Sequence, residues 1–135
     1  MLRRYLVMMA GGLMMIAPAS AQSPADMWTR PQTLTVKLSS FEYDPSTITL
    51  ARGAAYTLHL ENMSSGGHDF QAKEFFAQAQ IASADRNKVV KGKVAVPGKQ
   101  SVDVTLIAPT VGTYQVHCTH FMHSAFGMTG RIVVQ

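Results

Sequence analysis

A single cysteine in 135 residues excludes an internal disulfide framework. Charged residues are scarce, at 15 %, while hydrophobic residues reach 47 %; this is the composition of a chain with a real core, not of a disordered tail. Long apolar runs are missing as well. The longest, residues 6–16, is interrupted by Gly11 and Gly12 and falls short of the about 20 residues that a membrane-spanning helix needs. No dense Lys/Arg run occurs, so nucleic acid is not an expected partner. Lys88, Lys91 and Lys93 read as a solvated face. There is no internal repeat, and the length fits one domain.

The short apolar run has a definite context. Arg3 and Arg4 precede it and Ala19-Ser20-Ala21 follows it, the order of a secretory signal peptide with cleavage after Ala21. Residues 1–21 are therefore expected to be removed, leaving an exported or periplasmic protein with no stable membrane insertion. The Arg3-Arg4 pair leaves the export route open. Removing those two arginines takes the formal charge from +4 to +2. Five of the nine methionines leave too, and Met27, Met63, Met122 and Met128 remain. Cysteines in exported proteins usually come in pairs. A lone Cys118 there is either an exposed liability or a residue with a chemical role.

Residues 22–32 carry two prolines and no periodicity, and read as a flexible lead-in. From residue 33 to residue 135 the texture is that of one β domain. Leu34, Val36 and Leu38 alternate with polar residues, as do Ile48 and Leu50, then Tyr56, Leu58 and Leu60, then Val102, Val104 and Leu106, then Tyr114 and Val116. Period-two alternation marks half-buried strands. Val89-Val90 and Val94-Ala95-Val96 add further strand signals. Asp44-Pro45, Arg52-Gly53 and Pro97-Gly98 punctuate the strands, and Arg52-Gly53 reads as a hairpin turn. Residues 72–83, rich in Ala, Gln, Phe and Glu, are the one helical candidate. About eight short strands imply an antiparallel sandwich or barrel.

The chemistry is concentrated near the C-terminus. Cys118, His123 and Met128 follow the spacing Cys-x4-His-x4-Met on one loop between strands, and His68 stands alone after Ser64-Ser65-Gly66-Gly67. Thiolate, imidazole and thioether are soft to borderline donors that suit copper. Two His and one Cys with a weak axial Met make an electron-transfer copper site. Zinc fits less well, because it rarely takes a thioether and usually recruits more cysteines. His59 alternates onto a polar strand face and reads as surface. His117 neighbours Cys118 on a strand and should point away from it. His117 and His120 are open to three roles: surface residues, an electron port, or part of a second metal site.

These residues identify a resemblance to the cupredoxins, carried by Phe41-Glu42-Tyr43-Asp44-Pro45, by Ile48-Thr49-Leu50-Ala51-Arg52-Gly53, by the 62–68 loop, by Gly112-Thr113-Tyr114-Gln115-Val116-His117-Cys118 and by Gly127-Met128-Thr129-Gly130-Arg131-Ile132-Val133-Val134. The ligand spacing resembles the rusticyanin and auracyanin branches more than plastocyanin. The resemblance implies an all-β antiparallel Greek-key sandwich with one short helical insertion. It also implies one copper ion cycling between Cu(I) and Cu(II), with His68, Cys118, His123 and Met128 as ligands and the Gly67 carbonyl nearby. Many cupredoxins carry asparagine after the first histidine ligand. This chain has Asp69, whose ionised carboxylate accepts hydrogen bonds but donates none, so the lock across the ligand loop should differ. The loop is also similar to that of multicopper oxidases, but Thr119 replaces their second flanking histidine and the chain has no His-x-His pair. An enzyme is therefore not expected. The expected function is electron carriage, with redox proteins as transient partners. Copper handling, with copper-transport proteins as partners, is the alternative, and a metal-free interaction module the plainest one.

Overall fold

The structure is a computed structural model that describes residues 26–120, 122–123 and 125–135. The expected signal peptide and residues 22–25 of the lead-in lie outside the described residues. The rest of the lead-in holds a 3-10 turn at Asp26–Trp28, and the first strand already begins at Gln32.

Among the described residues, ten strands form two sheets. They are β1 (Gln32–Ser39), β2 (Glu42–Asp44), β3 (Thr47–Leu50), β4 (Ala55–Asn62), β5 (His68–Gln71), β6 (Gln80–Ile81), β7 (Lys93–Val96), β8 (Ser101–Ile107), β9 (Gly112–His117) and β10 (Thr129–Val134). One sheet has the order β2-β1-β4-β8-β6 and the other β3-β10-β9-β5-β7. The alternation read from the sequence sets which residues point between them. Val36 and Leu38 of β1, Tyr56, Leu58 and Leu60 of β4, and Val104 and Leu106 of β8 are buried. They face Ile48, Leu50, Val94, Val96, Val116, Ile132 and Val134 from the second sheet within one core.

The sandwich is mixed, not purely antiparallel. β1 runs parallel to β4, with Val36 opposite Leu60, and β3 runs parallel to β10, with Ile48 opposite Ile132. Both pairs arise because the chain changes sheets after β2 and again after β3. Arg52-Gly53 is thus no hairpin turn: it carries the chain from the second sheet back to the first. The Gly53 amide donates to the Ala108 carbonyl at 3.0 Å, and its φ of +75° suits glycine.

The helical candidate is shorter than expected. Helix α1 spans only Lys73–Gln78, burying Phe75 and Phe76 against Tyr114 and Phe70. Ala79 turns extended, and Gln80 and Ile81 pair with Ile107 and Leu106 of β8. A sheet edge with free backbone groups thereby outweighs the helical propensity of Ala, Gln and Phe. Ser83–Lys88 is a separate 3-10 segment over the same edge, tied down by Asp85, which accepts the Thr105 amide at 2.8 Å. Val89 and Val90 form no strand, and Val90 makes only an isolated bridge to Lys93.

The last crossover, from β8 to β9, leads directly to the functional end. There the Tyr114 hydroxyl donates to the Thr110 carbonyl at 2.6 Å across the corner. Tyr114→Phe should cost about 0.5–1.5 kcal/mol, the net worth of the one hydrogen bond that the buried Tyr114 ring would lose. Urea unfolding of the metal-free protein measures this; a variant of wild-type stability would remove the corner's role.

Candidate metal centre

Three separate pieces of chain meet at one end of the sandwich. The first is the 62–68 loop. Its shape is set by buried Asn62, whose side-chain amide donates to the Gly66 and Val96 carbonyls at 2.9 Å and whose Oδ1 accepts from Ser64 N at 3.0 Å. The turn at Gly98 closes against this loop. A Cβ there would lie 2.0 Å from the Ser65 carbonyl oxygen, so only glycine fits. His68 leaves the loop as the first residue of β5. The second piece is the end of β9, after which Cys118 follows at once. The third is the loop before β10. It folds on its own backbone: the Cys118 amide donates to the Met128 carbonyl at 3.2 Å, and the Met128 amide to the His123 carbonyl at 3.0 Å.

This arrangement gathers His68, Cys118 and His123. Among the described residues they form the group of His, Cys, Asp or Glu side chains with metal-ligand spacing, all donor atoms within 4.8 Å of one another. The two Nδ1 atoms are 3.2 Å apart. The Cys118 Sγ lies 3.3 Å from His123 Nδ1 and 3.9 Å from His68 Nδ1. Bonds of about 2.0 Å to imidazole and about 2.3 Å to thiolate, spread over tetrahedral to trigonal angles, require donor separations of about 3.3–3.8 Å. The observed edges of 3.2, 3.3 and 3.9 Å lie at or just outside that range, so a small adjustment of the side chains would seat one first-row metal ion. Met128 is fully buried, unlike the half-exposed Met63 and Met122, and its backbone bonds tie it to both Cys118 and His123. A donor set of two imidazoles, a thiolate and an available thioether is softer than zinc prefers and matches copper.

Burial prepares the donors differently. His68 is 3 % exposed, and burial, followed by the neighbouring His123 and His120, holds its pKa below the usual imidazole range, favouring the neutral, ligating form. Burial pushes the Cys118 thiol up. A cation held here would have to take the place of that proton, as metal binding to cysteine generally requires. Burial, and then the neighbouring Cys118 and Asp69, also push the Tyr43 phenol up, so it stays a neutral donor to the Asp69 carbonyl at 2.6 Å.

Asp69 occupies the second position of β5 and is itself buried. Its Oδ1 accepts the Thr119 amide at 2.8 Å and its Oδ2 accepts the Thr119 hydroxyl. The cross-loop lock thus runs through acceptors only, as the carboxylate requires. In the sequence Thr119 stood out only as the residue in place of a second flanking histidine, with no sign of this clamp.

The other histidines separate. His117 ends β9 opposite Thr129 and Gln71, outside the donor group. His59 pairs with Asp103 at 2.6 Å on the outer face of the first sheet, half exposed. His120 stands outside that donor group but close to it. Its ring stacks on His123 with centroids 5.3 Å apart and planes at 18°, and its Nε2 lies 3.7 Å from Asp69 Oδ2. Phe41 meets His123 edge-on at 5.2 Å and touches Phe126 at 5.1 Å. Both phenylalanines are exposed, at 39 % and 62 %, so half-buried His123 sits under an apolar rim.

Residues 31–135 match the family model of copper-binding proteins of the plastocyanin/azurin family. Among solved structures, the chain is similar to sodium-dithionite-reduced auracyanin from the photosynthetic bacterium Roseiflexus castenholzii, with 19 % identity, a TM-score of 0.57 and coverage of 77 % of this chain and 97 % of that one. Auracyanin A, a "blue" copper protein of Chloroflexus aurantiacus, aligns at 21 % identity and a TM-score of 0.53, covering 76 % and 99 %. A multicopper oxidase from Pseudomonas thermotolerans aligns at 18 % identity and a TM-score of 0.60. The match covers 85 % of this chain and 31 % of the oxidase. No curated protein sequence matches significantly.

Proposed function

The chain belongs to the plastocyanin/azurin family of copper-binding proteins and takes copper as its cofactor; from that premise we propose that it is an exported one-electron carrier. His68, Cys118, His123 and Met128 would hold one ion, which supplies a Cu(I)/Cu(II) couple when bound. The observation that carries this reading is the assembled donor triangle, with edges of 3.2, 3.3 and 3.9 Å, two of whose three residues are buried. Donors already in place need little rearrangement when the charge of the site changes, which is what fast electron exchange demands. A site for handing over copper would need accessible, movable donors instead.

The protein's own residues divide the work. Asn62 and the Gly98 turn seat His68. The backbone bonds among Cys118, His123 and Met128 fix the loop. Burial of Cys118, His68 and Met128 keeps water from the donors. His123, under the Phe41 and Phe126 rim, is the route for the electron, and that small apolar rim suits a transient contact with another redox protein. No helix among the described residues is long and apolar enough to cross a membrane. The signal-peptide pattern of residues 1–21 supports export.

Voltammetry of the copper-loaded protein without residues 1–21 tests the reading. A reversible one-electron response, with copper retained against a chelator over hours, is expected. Rapid loss of copper with no reversible response would turn the case toward copper handling. The same measurement examines the axial position. Met128→Leu should raise the reduction potential, because a weak donor that favours Cu(II) is lost, and Met128→Gln should lower it. Equal potentials in all three proteins would remove Met128 from the ligand set.

A further inference from the structure

Asp69 does more than a clamp requires. Three pieces of chain converge on it. Tyr43 of β2 donates to its backbone carbonyl, and Thr119 donates twice to its carboxylate. Lys93 of β7 places its ammonium 3.9 Å from Oδ2 and 3.3 Å from the Thr119 hydroxyl. An uncharged acceptor such as an asparagine side-chain oxygen would serve the Thr119 amide equally well. A buried carboxylate costs far more to desolvate than a buried amide, so its charge calls for a separate explanation.

The charge is only partly offset by its neighbours. Both carboxylate oxygens are used as acceptors from Thr119, whose partners are neutral. The Lys93 ammonium stands beyond direct hydrogen-bond contact and its side chain is 37 % exposed, against 2 % for Asp69. The imidazole of His120 is more exposed still, at 43 %. The residue lies between His68, its neighbour on β5, and Thr119, the residue after Cys118. Inside a low-dielectric site, an incompletely screened negative charge stabilises the more positive of two oxidation states.

We propose that the charge of Asp69 holds the reduction potential of the copper site down, with Lys93 as the opposing charge, separately from the clamp on Cys118 through Thr119 described above. The inference rests on the copper-site reading above and goes beyond it by assigning a tuning pair outside the ligand set.

Two measurements on four proteins test it: wild type, Asp69→Asn, Asp69→Ala and Lys93→Met. The first is the potential of the copper-loaded protein by voltammetry. Asp69→Asn keeps the shape and removes the charge, so the potential should rise by at least a tenfold change in the redox equilibrium, about 59 mV for one electron. Lys93→Met should move it downward. A purely structural role predicts no such opposition of sign. The second is hydrogen exchange of the Thr119 amide in the metal-free protein. Exchange should be slow in wild type and Asp69→Asn, which retains an acceptor oxygen, and at least tenfold faster in Asp69→Ala. An unshifted potential in Asp69→Asn overturns the charge effect, and unchanged Thr119 exchange in Asp69→Ala overturns the clamp. Should Asp69→Ala fail to fold, Thr119→Val tests the clamp instead, since it loses one of the two bonds and should speed exchange of its own amide. Failure of the copper reading is distinct: wild type itself would then lack a reversible response, while the exchange measurement would still decide the clamp.

Discussion

Replacing Cys118 with serine is expected to abolish the intense thiolate-to-Cu(II) absorption of the copper-loaded protein. The band requires sulfur bound as thiolate, and Cys118 is the only cysteine in the chain. Its Sγ stands within 3.9 Å of both imidazole Nδ1 atoms, at the buried corner of the donor triangle. Serine keeps the size but offers a hard oxygen that does not ionise at neutral pH, so it is a poor partner for copper. Copper affinity should fall by more than about 100-fold, beyond the tenfold to 100-fold that changes outside the ligand set typically cost. The fold should survive, because the serine hydroxyl would find the two imidazole nitrogens as hydrogen-bond partners. Absorption spectra with copper titration and circular dichroism of the metal-free variant check both halves. A variant that kept the band would place the copper elsewhere.

His123→Ala should disturb the spectrum almost as strongly, by a different route. The substitution removes one of three converging donors and also uncovers the site, because His123 is the half-buried member of the donor group, beneath Phe41 and Phe126. Added imidazole should occupy the vacated position and restore much of the original absorption, a rescue that mere unfolding would not permit. His117→Ala should leave the spectrum nearly intact, since its strand position lies outside the donor group. His120→Ala should shift the band modestly without removing it: the stacked ring supports His123, but His123 remains held by its own backbone and by Phe41. Copper titration should count one tight equivalent in wild type and in the His117→Ala,His120→Ala double variant. A second equivalent that vanished in the double variant would favour copper handling. A band destroyed by His120→Ala alone would exchange the roles of His120 and His123.

Much of this protein was legible before any fold was known. Period-two alternation placed Val36, Leu38, Leu58, Leu60, Val104 and Leu106 on buried faces, because a strand alternates its side chains whatever lies beside it. Cys118, His123 and Met128 could be read together because one short loop carries all three, and their donor chemistry is a property of the residues themselves. Strand direction was not legible. The parallel pairing of β1 with β4 and of β3 with β10 depends on where the chain changes sheets, and alternation records the face of a residue but not its neighbour. Residues 79–81 have a helical composition, yet Gln80 and Ile81 lie in the first sheet because the free edge of β8 was there to pair with. His68 could be singled out by its glycine-rich approach. Its place 3.2 Å from His123 exists only because Asn62 and the Gly98 turn bring a loop of one sheet over the end of the other. The same holds for Asp69, Lys93, Thr119 and His120, which are separated by up to 51 positions in the chain. The sequence by itself determined the donor types and the faces of the strands, which are local properties. Tertiary structure decided which distant side chains share one low-dielectric space, and with it how a single buried carboxylate bears on the metal site, because burial and charge proximity belong to the folded chain.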